Sequence, residues 1–556
     1  MNLHKFTITN SCGTLAMLVC AAFLQSCHFK NKDADLILHN AVIYSVNDEF
    51  NIYEALAIKD GKIVAIGTER EILNEYNAPQ SIDCGKKFIY PGFIDAHCHF
   101  LGYGRTLQEV NLQGTRSLAE VIQRVKEFAL KNPDGWIRGR GWDQNDWEIK
   151  EFPTRQVLDS LFPDRPVMLK RIDGHAMLVN SATLELAGIS SKTQVSGGNI
   201  ILQDGEPTGV LIDNAMLMVE NILPPSDKEN DVRALLEAQS NCFEVGLTTV
   251  DDAGILKKDV DLISELHNSG DLKMRIYAML SDVPENYDYY LSHGIDTTDR
   301  LSVRAFKFYA DGALGSRGAC LLAPYSDVMP GPVYGFLLDS INHYRIRAWQ
   351  LREKGFQVCT HAIGDSANRV MLEVYKEATA GLTDHRWRIE HAQVVHEADM
   401  PKFREYFVIP SIQPTHATSD MPWAEFRLGR NRLRRAYAYE ELKKQMGMAA
   451  LGTDFPIEDI SPIRTFYAAV ARKDIEGNPA DGFLFENALS REDALRGMTI
   501  WAAIANFEEN KKGSLETGKF ADIVILDRDI MKCRETDILS TSVFMTILNG
   551  EIVYRK

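Results

Sequence analysis

Eight short apolar runs, each followed by enough chain for a helix, organise the middle of this 556-residue sequence. They cover 89–95, 246–251, 273–280, 304–310, 357–361, 387–391, 408–413 and 448–454. From the second run onward, successive starts lie 27, 31, 53, 30, 21 and 40 residues apart. Antiparallel strands can be joined by a two-residue turn, whereas parallel strands need a crossover of roughly a dozen residues or more. The intervals therefore predict parallel strands with crossover helices, and eight such units are what a closed β/α barrel requires. The first interval is the exception, because 146 residues separate His99 from Gly246. That stretch carries Gly139-Arg-Gly-Trp-Asp-Gln-Asn-Asp-Trp147 and a hairpin signal at Asp204-Gly205. Residues 110–235 are read as a subdomain inserted over the barrel mouth.

The two ends of the chain follow another pattern. Ala34 to Tyr44 is dense in apolar residues, and Glu54 to Gly67 reads as two strands joined at Asp60-Gly61, a turn that needs positive φ. Ala521 to Asp527 is a further strand, and Val543 to Tyr554 folds back at Asn549-Gly550. Short isolated sheets are marginal in water. Residues 34–88 and 509–556 are therefore expected to pair as one small β-sandwich, with 89–508 as the barrel. The predicted class is α/β: a (β/α)8 TIM-like barrel, a sandwich built from both termini, and the insertion after the first barrel strand.

Residues 1–27 read as an address. Lys5 precedes an uncharged, mostly apolar stretch from Cys12 to Leu24. That is shorter than the roughly 20 residues a membrane-spanning helix needs, but it suits the core of a signal peptide. Leu24-Gln-Ser-Cys27 resembles a bacterial lipobox, in which cleavage leaves Cys27 lipidated; an ordinary signal peptide cut nearby is the alternative. Either way the expected location is the bacterial cell envelope, periplasmic or surface-exposed, with the membrane reached through a lipid anchor only. Composition agrees with a globular chain: 45% hydrophobic and 25% charged residues, with a mean hydropathy of −0.20, exclude disordered, collagen-like and polytopic membrane classes. The net charge is −16 and no run of three or more consecutive Lys or Arg occurs, so no nucleic-acid partner is expected. Cys84, Cys98, Cys242, Cys320, Cys359 and Cys533 form no C-x-x-C pair and are expected to be mostly buried free thiols, with one disulfide left open.

The chemistry concentrates at the predicted strand ends. In Tyr90-Pro-Gly-Phe-Ile-Asp-Ala-His97-Cys-His99, residues i and i+2 project to the same side of a strand, so both imidazoles would face the mouth and could hold a divalent cation. Thr360-His361-Ala-Ile-Gly-Asp365 ends the fifth strand, Arg388-Ile-Glu-His391 the sixth and Leu451-Gly-Thr-Asp454 the eighth. Barrel active sites collect at that face. Lys307 lies within the apolar fourth strand, a costly place for a charged amine; a lysine snorkelling to solvent or paired with Asp311 is the alternative.

These stretches, together with Gly-Lys519-Phe-Ala-Asp-Ile, resemble the amidohydrolase superfamily of metal-dependent hydrolases, and within it the branch called YtcJ-like. The resemblance covers nearly the whole chain from about Asp35. It implies a barrel holding one or two divalent metal ions, commonly zinc, ligated by His97, His99, Lys307, His361, His391 and Asp454, with Lys307 carboxylated to bridge them. A buried lysine amine is more readily neutral and can add CO2, which replaces an unfavourable cation with an anion. Asp454 is expected to accept the proton of the activated water and return it to the leaving amine. His175, in the family-like segment Asp173-Gly-His-Ala-Met, is expected to donate to the substrate; a structural histidine of the insertion is the alternative. Trp142, Arg317 and His416 are the further substrate-binding candidates; Arg317 could meet an anionic substrate, with a solvated loop or an internal salt bridge as the equal alternative.

The expected function is hydrolysis of a non-peptide amide-type C–N bond in a small amide, formamide or N-acyl compound. A deaminase or cyclic-amide hydrolase on the same scaffold is the enzymatic alternative, against which Lys307 argues. A non-catalytic binding lipoprotein on a degenerate barrel is the alternative of another class. The expected partner is a small-molecule substrate, and a homodimer is left open.

Overall fold

The computed structural model describes residues 32–224, 226–328 and 331–556. Cys27 and the proposed signal peptide lie outside the described residues. Among the described residues no helix is long and apolar enough to cross a membrane.

Eight parallel strands form the centre. They are β1 (Phe93–Cys98), β2 (Leu247–Ile255), β3 (Arg275–Ser281), β4 (Leu301–Tyr309), β5 (Gln357–Ala362), β6 (Arg388–His391), β7 (Ile409–Ile412) and β8 (Ala450–Leu451). Each pairs in parallel with the next in chain order. The seam between β8 and β1 is drawn together past the end of β8, where Asp454 N–H donates to the His97 carbonyl and His99 N–H to the Phe455 carbonyl, both at 2.8 Å. The result is a nearly closed parallel barrel. Its strands are apolar on both sides because one side fills the interior, where Ala253, Tyr277, Met279, Ala305 and Cys359 cluster, and the other meets the surrounding helices.

The first apolar run divides. Phe88–Pro91 pairs antiparallel with Ile523–Leu526 and parallel with Val42–Ile43, so it belongs to a terminal sheet, and the barrel begins at Phe93 rather than at residue 89. Gly92 makes the break sterically: a Cβ there would lie 2.4 Å from the Thr248 side chain on β2. A four-stranded sheet from the N-terminal part and a six-stranded sheet that joins both ends of the chain contribute Leu36, Leu56, Ile63, Ile89, Ile525 and Ile547 to one buried cluster. Their Asp60-Gly61 and Asn549-Gly550 turns have positive φ at both residues, as does Asp204-Gly205.

Between β1 and β2 lies a six-stranded mixed sheet running from Val110 to Asp213. Trp142 is 1% exposed in its core, and the indole N–H donates to the Leu169 carbonyl at 2.8 Å. The expectation that Trp142 lines the mouth is therefore corrected: its ring packs with Trp147 inside the inserted sheet. All six described cysteines are free, and four are buried.

Candidate metal centre

His97 is fully buried near the end of β1, and His99 stands just beyond it at the start of the helix Phe100–Thr106. Their Nδ1 atoms are already engaged. His97 Nδ1 lies 2.7 Å from Glu390 Oε2, and His99 Nδ1 lies 2.8 Å from the Ala253 carbonyl oxygen. An oxygen acceptor at that distance requires Nδ1–H as donor, which leaves each neutral ring with a lone pair on Nε2. Both Nε2 atoms turn toward Asp454 Oδ1, at 3.6 and 3.3 Å. Three polar atoms, the two Nε2 and Asp454 Oδ1, thus converge on one point.

His361 and His391 extend the cluster from β5 and β6. The His391 ring is 4.8 Å from that of His97 and 4.5 Å from that of His361. His391 Nδ1, His361 Nε2 and Asp454 Oδ1 are buried without hydrogen-bond partners. The ligand atoms of His97, His391 and Asp454 lie within 4.8 Å of one another. Burial lowers the pKa of His97 to about 4 and of His361 and His391 well below the usual imidazole range, so all three are neutral ligands at neutral pH. Burial opposes the Asp454 charge, but the hydrogen bond from His416 to Oδ2 holds its carboxyl ionised. His391 and Asp454 also adopt positive φ, 72° and 63°, a conformation that costs a non-glycine residue about 1–3 kcal/mol. Orphaned buried acceptors on strained backbone are destabilising unless something binds them. The donor set of imidazole nitrogens and a carboxylate oxygen suits a divalent cation.

Lys307, 1% exposed on β4, reaches the same cluster with Nζ 3.2 Å from His97 Nε2. Burial lowers its pKa to about 8. Asp311 is not its partner. The Asp311 carboxylate accepts the backbone N–H groups of Cys320, Ile363 and Gly364 at 2.8–3.0 Å and lies 3.8 Å from His361 Nε2. A buried chain of charges supports the floor: Arg388 bonds Asp251 at 2.9 Å and Glu390 at 3.0 Å, and Glu390 holds His97. Burial disfavours the Glu390 charge, yet Arg388 and His97 lower its pKa to about 2.

Two histidines flank the cluster. His175 arrives from the inserted sheet, with its ring 4.9 Å from that of His361 and Nδ1 2.6 Å from Asp213 Oδ1. Burial lowers its basicity, but the Asp213 carboxylate outweighs this and raises its pKa. His416, in the helix Pro414–Leu433, places Nε2 3.0 Å from Asp454 Oδ2 and Nδ1 3.1 Å from Glu458. Arg317 does not offer a free cation, because Asp327 binds it at 2.9 Å. The structure thus brings His97, His99, Lys307, His175, His361, His391, His416 and Asp454 together, and leaves Trp142 and Arg317 outside.

The model of the amidohydrolase family matches residues 80–554. The chain belongs to the amidohydrolase family. This chain is an enzyme, a hydrolase acting on carbon–nitrogen bonds. The putative amidohydrolase YtcJ of Bacillus subtilis is 31% identical over 537 residues, 94% of this chain and 99% of that protein, which supports the YtcJ-like branch. An N-substituted formamide deformylase of Arthrobacter pascens is 26% identical over 550 residues, 94% of this chain and 98% of that one. An uncharacterized metal-dependent hydrolase from Pyrococcus horikoshii OT3 superposes with a TM-score of 0.73 at 29% identity, over 90% of this chain and 99% of its own.

In this amidohydrolase, sequence reasoning missed Glu390, Asp213 and Glu458. Glu390 had a readable signal, a second charged residue one position before His391 in a strand otherwise spaced for burial. Asp213 and Glu458 carry no local signal, because their partners are 38 and 42 residues away in the chain.

Proposed function

We propose that this amidohydrolase cleaves a small formamide or N-acyl amine with one or two divalent cations, zinc being the cation that the donor set suits. The observation that carries the reading is the convergence of unpartnered buried polar atoms of His361, His391 and Asp454 beside the Nε2 atoms of His97 and His99. The formamide deformylase among the relatives favours the substrate class. His97, His391 and Asp454 would hold a cation, with His99, His361 and Lys307 adjoining. Bound there, a divalent cation supplies Lewis acidity and a coordinated water that ionises near neutral pH.

Asp454 accepts a proton from the attacking water while His416 keeps its second oxygen engaged. As the new C–O bond forms and the C–N bond breaks, the same carboxyl returns that proton to the departing amine nitrogen. His175, held by Asp213, donates to the substrate oxygen as charge develops there. Among the described residues no carboxylate forms an ion pair with Lys307, and burial outweighs the pull of Glu390 and Asp454 on its charge, which favours the carbamate: its neutral amine adds CO2 and loses a proton. We also propose a lipid anchor at Cys27 in the cell envelope.

The test is metal analysis of the purified protein with N-benzylformamide as substrate. At least one equivalent of zinc, activity lost on chelation and regained with zinc, is expected. A protein with far less than one equivalent whose activity survives chelation would overturn the reading.

A further inference from the structure

We propose that Arg140 receives a carboxylate of the substrate, so that the preferred substrates are anionic N-acyl compounds, of which N-formyl and N-acyl amino acids are the simplest. The proposal rests on the amide-hydrolase reading above and names the substrate class of that same site. Arg317, the cation that the sequence offered for this task beside an internal salt bridge, is paired with Asp327. Two neighbouring guanidinium groups are paired as well: Arg171 with Asp143 and Asp173, and Arg427 with Asp327. Among the described residues Arg140 forms no ion pair. Its Nη2 donates to the Ile172 carbonyl at 3.0 Å, and its buried Nε has no partner. The half-buried guanidinium keeps donors free for a ligand, and its buried Nε is costly while it has no partner.

Its placement joins it to the reacting centre. Arg140 Nη2 lies against the turn that carries His175; a Cβ built on Gly174 would sit 3.2 Å from it, and Gly174 has a φ of +74°. The His175 ring is in turn 4.9 Å from that of His361. Burial lowers the Arg140 pKa, opposed first by the charge of Asp454 and then by that of Asp173. The guanidinium is also presented by a backbone with little freedom. A Cβ on Gly139 would meet Val110 and Leu169 at 3.0 and 3.1 Å, and one on Gly141 would meet Gln113 N at 2.6 Å. A planar fork fixed in this way suits two parallel hydrogen bonds to a carboxylate, and its preorganisation lowers the entropy lost on binding.

The test compares N-formylphenylalanine with N-formylphenethylamine, which differ only by the carboxylate, on zinc-loaded wild type and on Arg140→Gln and Arg140→Lys. Wild type is expected to favour the acid in kcat/KM by roughly 10- to 100-fold, the size of a charge-assisted pair. Arg140→Gln should erase that preference through KM, with metal content and turnover of the neutral amide retained, and Arg140→Lys should restore part of it. Calorimetric titration with the same two compounds reads the contact without turnover. If neither is hydrolysed yet the acid binds more tightly only when Arg140 is present, the hydrolase substrate reading fails and the role of Arg140 stands. If acid and amide bind alike to wild type and Arg140→Gln, or the variant weakens both equally, the proposal is overturned.

Discussion

Glu390 decides which nitrogen of His97 faces the cluster, because its carboxylate holds the Nδ1 proton at 2.7 Å. Glu390→Gln keeps the shape but weakens that hold, and the affinity for zinc should fall about 10- to 100-fold, as measured by chelator competition. An unchanged affinity would show that His97 needs no such support. Trp142 gives the opposite expectation. Buried in the inserted sheet, it should cost about 3–5 kcal/mol when changed to Ala, measured by denaturant unfolding, while KM of the folded fraction stays near wild type. A raised KM with unchanged stability would return Trp142 to the site. Its misplacement has a local cause. The ladder with Val167–Arg171 slips between Arg140 and Trp142, so the alternation that a strand imposes cannot be carried across that point. For Arg317 the sequence left an anionic substrate and an internal salt bridge equally open, since its partner Asp327 is reached through a loop that no periodicity describes.

At the scale of elements, the alternating architecture was legible because each barrel strand is a short apolar run and each crossover has a minimum length. The turns at Asp60-Gly61 and Asn549-Gly550 were legible because only a few residue types tolerate positive φ at both positions. The cut at Gly92 was not, since two consecutive strands without a polar turn look like one. Nor was the brevity of β8, which pairs over only Ala450 and Leu451 before the chain leaves the ladder to deliver Asp454. Gly452 permits that departure: a Cβ there would lie 2.5 Å from His97 N. Gly452→Ala must therefore push β8 away from β1. Bound zinc should drop well below the wild-type amount, and the Tm should fall by several degrees, in metal analysis and thermal melts of the same preparation. Wild-type metal content in that variant would mean that the seam tolerates more movement than the contact allows.

Over the whole molecule, the barrel and the terminal sheets are held by more than apolar contact. Arg275 at the start of β3 binds Asp522 through two hydrogen bonds, at 2.6 and 3.0 Å, and stacks on Phe520 at 3.9 Å. Both side chains are at most 5% exposed, so Asp522→Ala leaves a buried cation without its partner and should cost about 3–5 kcal/mol in equilibrium unfolding. A cost below about 1 kcal/mol would show that water reaches the guanidinium. The histidines that matter come from β1, β5 and β6, from the inserted sheet and from the helix after β7, and their meeting depends on barrel closure as a whole. The central claim is that this meeting creates a cation site. Anomalous diffraction at the zinc edge from zinc-loaded crystals tests it most directly. A peak about 2.0–2.2 Å from ligand atoms of His97, His391 and Asp454 is predicted. Zinc bound elsewhere on the molecule, with those three side chains joined only through water, would contradict it.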